Sequence, residues 1–255
     1  MTTKTRPILL IALLAGLMIG CGAAAVPTTR PSPTIPTTPA PTLPPTPSPR
    51  PTIGPVNVTS AAQAAALVFA SDERWGRMVP LRSDMIGQSS WYEVTADGTG
   101  FTVSITVGQG DCQAGCIERH TWQYHVDMNG TVVLVGESGD DVNVPPAVGG
   151  DGPAQITVDL LAGPVCPVEQ NPPDPNCEDR PVKNAEVKLF DASGTLVATE
   201  ISDDDGRVVF QVPGGAYYVE PQPAQGLMGT PEAQAVSVLG GDQSGLLFGY
   251  DTGIR

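Results

Sequence analysis

Apolar side chains change their spacing three times along the chain, and each change marks a different kind of segment. Between residues 8 and 19 they run almost without interruption. That run is about a dozen residues, short of the ~20 that a helix needs to cross a bilayer. Between residues 61 and 70 alanines dominate, and Ser60 stands three residues before Gln63. Alanine has the highest helix propensity and the Ser–Gln spacing is that of a capping box, so this segment is predicted to be a helix. Beyond it the period drops to two. Trp91-Tyr92-Glu93-Val94-Thr95 and Phe101-Thr102-Val103-Ser104-Ile105-Thr106-Val107 alternate as half-buried strands do. A second pair, residues 121–127 and 131–135, meets at Asn129-Gly130. Both of those residues tolerate positive φ, which predicts a tight hairpin turn there.

After residue 152 seven short apolar runs follow, at 155–161, 186–190, 195–201, 207–212, 216–220, 233–239 and 245–250. The turns between them carry Asp191-Ala192-Ser193-Gly194, Asp203-Asp204-Asp205-Gly206 and Pro213-Gly214-Gly215. Many short strands at this spacing argue for an all-β sandwich. The expected fold is therefore mainly β: a seven-stranded sandwich over 152–255, preceded by a small α+β module of one helix and antiparallel hairpins over 56–146.

The amino-terminal fifth belongs to neither module. Lys4 and Arg6 precede the apolar run of 8–19, and the small Gly20 stands directly before Cys21. These are the parts of a secretory signal over residues 1–20. Leu17-Met18-Ile19-Gly20-Cys21-Gly22 resembles the lipobox of bacterial lipoproteins. The resemblance implies cleavage before Cys21, acylation of its thiol, and attachment to the cell membrane or outer membrane on the extracytoplasmic face. An ordinary signal peptide with an incidental cysteine is the other reading. Several acyl chains hold a protein durably, because each buried methylene contributes ~0.8 kcal/mol. Residues 21–55 hold the cysteine and a linker, which from Pro27 to Pro55 turns to Pro, Thr and Ser, as in Pro31-Ser32-Pro33-Thr34-Ile35-Pro36. Proline fixes φ and lacks a donor, so an extended spacer is expected, reaching up to ~90 Å. A ligand for a proline-reading domain is the alternative for this composition.

With Cys21 set aside, four cysteines remain, in two close pairs: Cys112 with Cys116 and Cys166 with Cys177. Disulfides persist in oxidising compartments, in keeping with export. The first pair has a competing reading. Cys112, Cys116, His120 and His125 offer thiolates and imidazoles, a set that suits zinc. An odd separation within one strand, however, would send His120 and His125 to opposite faces of the sheet. That favours the disulfide and leaves no metal expected. Asp203, Asp204 and Asp205 likewise present oxygens to calcium, but lack the alternating spacing of an EF-hand loop and read better as a solvated turn.

Pro181-Val182-Lys183-Asn184-Ala185-Glu186-Val187-Lys188-Leu189-Phe190-Asp191, then the Asp-Gly turn, then Pro213-Gly214-Gly215-Ala216-Tyr217-Tyr218-Val219, resembles the prealbumin-like modules called carboxypeptidase regulatory-like or Cna-B-type domains. The resemblance implies a stalk, spacer or ligand-binding surface, with no peptidase activity. Many Cna-B-type domains carry an isopeptide bond from a first-strand Lys to a last-strand Asn or Asp. Here residues 155–161 contain no lysine, so none is expected, although Asp251 and Glu220 stand where acceptor and assisting acid would. The helix and hairpins of the first module, with Trp122-Gln123-Tyr124-His125-Val126-Asp127, look like PepSY modules. That likeness implies a second function: regulation or inhibition of an exported protease.

Charge narrows the partners. All 27 Asp and Glu lie from Asp72 onward, whereas four of the 13 Lys and Arg precede it, so this part is more acidic than the formal net charge of −14. Such a surface repels phosphate backbones, so nucleic acid is not expected as a partner. Expected partners are the membrane, through the anchor, and an envelope protein or surface ligand. No nucleophile elbow, phosphate-binding loop or zinc-protease helix occurs in the sequence. Neither catalytic residues nor a cofactor are expected.

Overall fold

The computed structural model describes residues 56–255 apart from 83, 169–171 and 173. The expected signal, Cys21 and the whole proline-rich segment lie outside the described residues. The described chain falls within one compact unit, Arg50–Arg255.

It opens with Val56 and Val58, whose backbone N–H groups donate to Asn129 and Met128. Helix α1 (Ala61–Ser71) follows. Ser60 Oγ accepts from the Gln63 N–H at 3.1 Å, and Gln63 Oε1 accepts from the Thr59 N–H at 3.0 Å. The reciprocal cap thus reaches one residue further back than the capping box predicts. Eight of the eleven helical residues are buried. A helix apolar all round must be covered all round, and α1 is clasped between two sheets.

One of these is an antiparallel meander of β1 (Ser90–Ala96), β2 (Gly100–Gln109), β3 (Glu118–Asp127) and β4 (Val132–Gly139), in that order. It turns Tyr92, Val103, Ile105, Trp122, Tyr124 and Val126 into the core around the helix. The remaining strands are β5 (Ala154–Gly163), β6 (Arg180–Pro181), β7 (Glu186–Asp191), β8 (Leu196–Ile201), β9 (Arg207–Val212), β10 (Gly215–Pro221), β11 (Gln234–Val238) and β12 (Gln243–Asp251). They make two sheets. One has the order β11-β10-β7-β8; in the other, β5 lies between a parallel β12 and an antiparallel β9 and β6. All seven expected runs are strands, and β6 is an additional two-residue pairing. The two sheets enclose a core that includes Ile156, Leu160, Leu189, Phe210, Val236 and Phe248. This is the two-sheet β-sandwich that the strand spacing predicts, with its first and last long strands side by side.

The sheet containing β10 and β11 is covered on both faces. Tyr217, Val219, Val236 and Val238 face the sandwich core, whereas Tyr218 and Ala235 face α1. The segments on either side of residue 150 therefore share the helix layer. A strap after α1 ties their edges together. Met78 donates to Ser237 Oγ at 2.8 Å and accepts from the Ser237 N–H at 3.0 Å, and Pro80 forms a parallel bridge to Tyr92. The Tyr92 hydroxyl both donates to the Ala235 carbonyl (3.0 Å) and accepts from the Ala235 N–H (2.7 Å). It takes the place of a neighbouring strand on β11.

The turn after β3 differs from expectation. Of Asn129 and Gly130 only Gly130 takes a positive φ, 82°. Asp127 accounts for the difference. Its backbone bonds to Gly130 and Thr131 close a three-residue loop, and its Oδ1 accepts from the N–H groups of Asn129 (2.9 Å) and Thr131 (2.8 Å). Asp191–Thr195 and Asp203–Arg207 repeat the backbone pattern, with glycines at φ 88° and 72°. The signal that decides these turns is Asp followed three residues later by Gly.

Candidate functional site

Both cysteine pairs are bridged. Cys166–Cys177 closes the loop between β5 and β6 with Cα atoms 5.3 Å apart, and Cys112–Cys116 closes the β2–β3 connection with Cα atoms 3.6 Å apart. The second spacing lies below the usual 4.4–6.8 Å range. Gly115 in this small ring takes φ 109°, and its carbonyl accepts from Arg119 Nη2. The ring sits at the opposite end of β3 from the turn on which the chain enters.

The four residues weighed as a zinc set are dispersed by this arrangement. The thiols are consumed in the bridge, and the imidazoles lie on opposite faces of β3. His120 shares the inner face with Trp122, their rings 4.3 Å apart, whereas His125 Nδ1 lies 3.3 Å from Asp97 Oδ2 outside. Asp97 is held at about 2 by hydrogen bonds from the Thr99 hydroxyl and N–H, with smaller help from Thr102 and His125. Among the described residues no group of three or more His, Cys, Asp or Glu is gathered to hold a metal. Asp203 Oδ1 is occupied by the N–H groups of Asp205 (3.0 Å) and Arg207 (2.8 Å). In the last strand Asp251 is gripped by Arg255 at 2.7 Å, which holds its carboxyl at about 2 together with the Gly253 N–H. Glu220 Oε1 accepts from Gln222 Nε2 at 2.9 Å.

A polar cluster that the sequence did not single out stands at the end of α1. Asp72 accepts from Arg74 Nε and Nη2, the latter at 2.7 Å, and from the Tyr124 hydroxyl at 3.1 Å. The Tyr124 oxygen in turn accepts from Trp75 Nε1 at 3.0 Å. The Arg74 guanidinium also lies 4.7 Å from the Trp75 ring centroid. Burial pushes the Asp72 carboxyl up, but the hydrogen bonds and charge of Arg74 outweigh it, so the carboxyl sits below its ordinary value. A depressed folded-state pKa contributes stability that is present above the unfolded value of ~3.9 and lost as pH falls through the folded one. Asp72→Asn should accordingly melt lower than the native chain at pH 7, with the gap shrinking as the pH approaches 3. Melting curves across that range check this, and a gap independent of pH would show that the charge contributes nothing.

Two adjoining clefts mark the other notable surface. One, of about 520 Å³, lies between Tyr92, Glu93 and Val94 of β1 and residues 231–234 leading into β11. The other, of about 370 Å³, shares Ala61, Ala62, Glu232 and Ala233 with it and extends to Phe101 and Glu220. Together they form a groove across the first turn of α1.

No protein-family model matches the chain. No curated protein matches it either. Among solved structures it is similar to GBS52, the minor pilin of the Gram-positive pathogen Streptococcus agalactiae. The identity is 11% over 69% of this chain and 93% of that one, with a TM-score of 0.32. It is similar also to a mutant of the shaft pilin SpaA from Lactobacillus rhamnosus GG, at 8% identity over 39% of this chain and 51% of that one, TM-score 0.32. The Bacillus anthracis TIE protein matches at 13% identity over 69% of this chain and 34% of that one, TM-score 0.31. The match spans about half the length of the SpaA chains. Likenesses at such TM-scores carry no argument about this chain, whose fold rests on the strand order described above.

Proposed function

We propose that this chain is a surface lipoprotein: its signal is removed before Cys21, acyl groups on that cysteine hold it to a membrane, and a proline-rich spacer presents a non-catalytic head. The head serves as a stalk or ligand-binding module. The observation that carries the reading is the pair of closed bridges, one before and one after residue 150. Disulfides in both parts suit an oxidising, extracytoplasmic compartment. The lipobox-like Leu17–Gly22 segment supplies the anchor, and the acidic surface beyond Asp72 directs the head away from nucleic acid and anionic lipid.

The test is Cys21→Ser in the full chain. The native protein should incorporate a labelled fatty acid and sediment with membranes, whereas the variant should lose the label and pass largely into the soluble fraction. Label retained by the variant would sink the lipobox reading. Among the described residues nothing specific favours the protease-regulator alternative.

A further inference from the structure

We propose that the groove between the β1 and β11 edges binds an extended polypeptide segment bearing lysine or arginine. The chain's own strap shows what this seam accepts. At one end Met78–Pro80 already lies in it as extended backbone, bonded to Ser237 of β11 and bridged to Tyr92 of β1. Past Pro80 the seam continues as the cleft of about 520 Å³ between Glu93 and Val94 on one wall and Pro231–Gln234 on the other. Both strands lie at sheet edges, but the Ala235 N–H and carbonyl and the Ser237 N–H of β11 are taken by Tyr92 and Met78, so the edge left to an added strand is that of β1 beyond Tyr92. An edge offers unpaired N–H and C=O groups to an added strand, which is how β-augmentation gains affinity.

The regularity of these edges sets them apart from the opposite pair. The pairing of β4 slips between Gln123 and Tyr124, leaving Val135 as an extra bulged residue, and that of β8 slips between Leu189 and Phe190, leaving Val197. Bulges blunt an edge against further strands. The pairings of β1 with β2 and of β11 with β10 run without a slip. Within these two sheets the edges without a slip are thus the two that border the groove.

Charge selects the occupant. Glu93, Glu232 and Glu220 line the two clefts, and no Lys, Arg or His does. Among the described residues neither Glu93 nor Glu232 has a salt-bridge partner. Lys188, directly across from Glu220 on β7, is engaged by Glu186 at 3.3 Å and by Gln222 Oε1 at 3.2 Å. Pro80, Leu81, Pro231 and Phe101 give apolar walls for the stems of long side chains, whose charged ends would meet the carboxylates.

The experiment uses the intact chain in detergent and a fluorescent decapeptide alternating Lys and Thr. Saturable binding is expected, weakened at least tenfold by Glu93→Gln/Glu232→Gln and unchanged by Glu178→Gln/Glu200→Gln, which removes the same charge elsewhere. Backbone N-methylation of the peptide should weaken binding by a similar factor, because it blocks strand pairing. Three results would overturn the proposal: no saturable binding, equal loss in the two double variants, or competition by spermine as effective as that of unlabelled peptide. The last two would assign the effect to diffuse acidity or to charge alone. The outcome is independent of lipid attachment, which this assay does not read.

Discussion

Trp75→Ala should cost about 4 kcal/mol of stability, within the range for truncating a buried aromatic, and lower the melting temperature by roughly 10 °C for a unit of this size. Trp75 is fully buried beside Trp122, ring centroids 5.1 Å apart, and its indole N–H donates to Tyr124. Alanine leaves a cavity where that ring stood and takes one partner from a buried hydroxyl. The loss should not stay local. The Trp75 carbonyl accepts from Ser237 Oγ on β11, so the residue touches the meander through its ring and the sandwich through its backbone. Because α1 fills the space between the two sheets, the meander cannot open without exposing Tyr218 and Ala235. The fluorescence of Trp91 and Trp122 reports the first part, and amide exchange along β5 and β12 reports the second. Both should shift together in the variant. Unaltered protection of β5 and β12 would mean that the sandwich stands without the meander.

The period-two runs were legible because burial on one face writes itself into alternation. β5 and β9 show it most plainly, every second residue being buried. Tyr217-Tyr218-Val219 and Ala235-Val236-Ser237-Val238 break that rule. Residues buried on both faces signify a strand covered twice, and that is the sequence trace of α1 lying on this sheet. The alanines of the helix have the same cause, since only small side chains let two sheets approach one helix so closely. The bridges were legible from cysteine spacing, and the dispersal of His120 and His125 from their odd separation. The Asp72–Arg74–Tyr124 cluster and the groove were not. Tyr124 lies 52 residues from Asp72, and Glu232 is brought opposite Glu93 only by the stacking of layers. No local spacing encodes such meetings.

Gly206→Val should destabilise by about 3 kcal/mol or more, whereas Gly98→Ala should cost only about 1 kcal/mol, although both glycines sit at positive φ, 72° and 82°. The backbone conformation penalises any side chain at either position. What separates them is the surroundings. A Cβ on Gly98 would meet nothing within 4 Å. On Gly206 it would lie 2.5 Å from the Leu160 carbonyl oxygen and 3.0 Å from the Val182 N, and both of these are backbone atoms. Those atoms cannot swing aside. The Gly206 carbonyl accepts from the Leu160 N–H at 2.9 Å, and the Leu160 carbonyl accepts from the Val182 N–H at 2.9 Å, so the turn, β5 and the segment after β6 meet at one point. A β-branched side chain there adds overpacking to backbone strain and pries at the central strand of the sheet. Thermal melts of the two variants beside the native chain decide the matter. Equal losses would show that φ alone governs these turns and that the close approach to Leu160 contributes nothing.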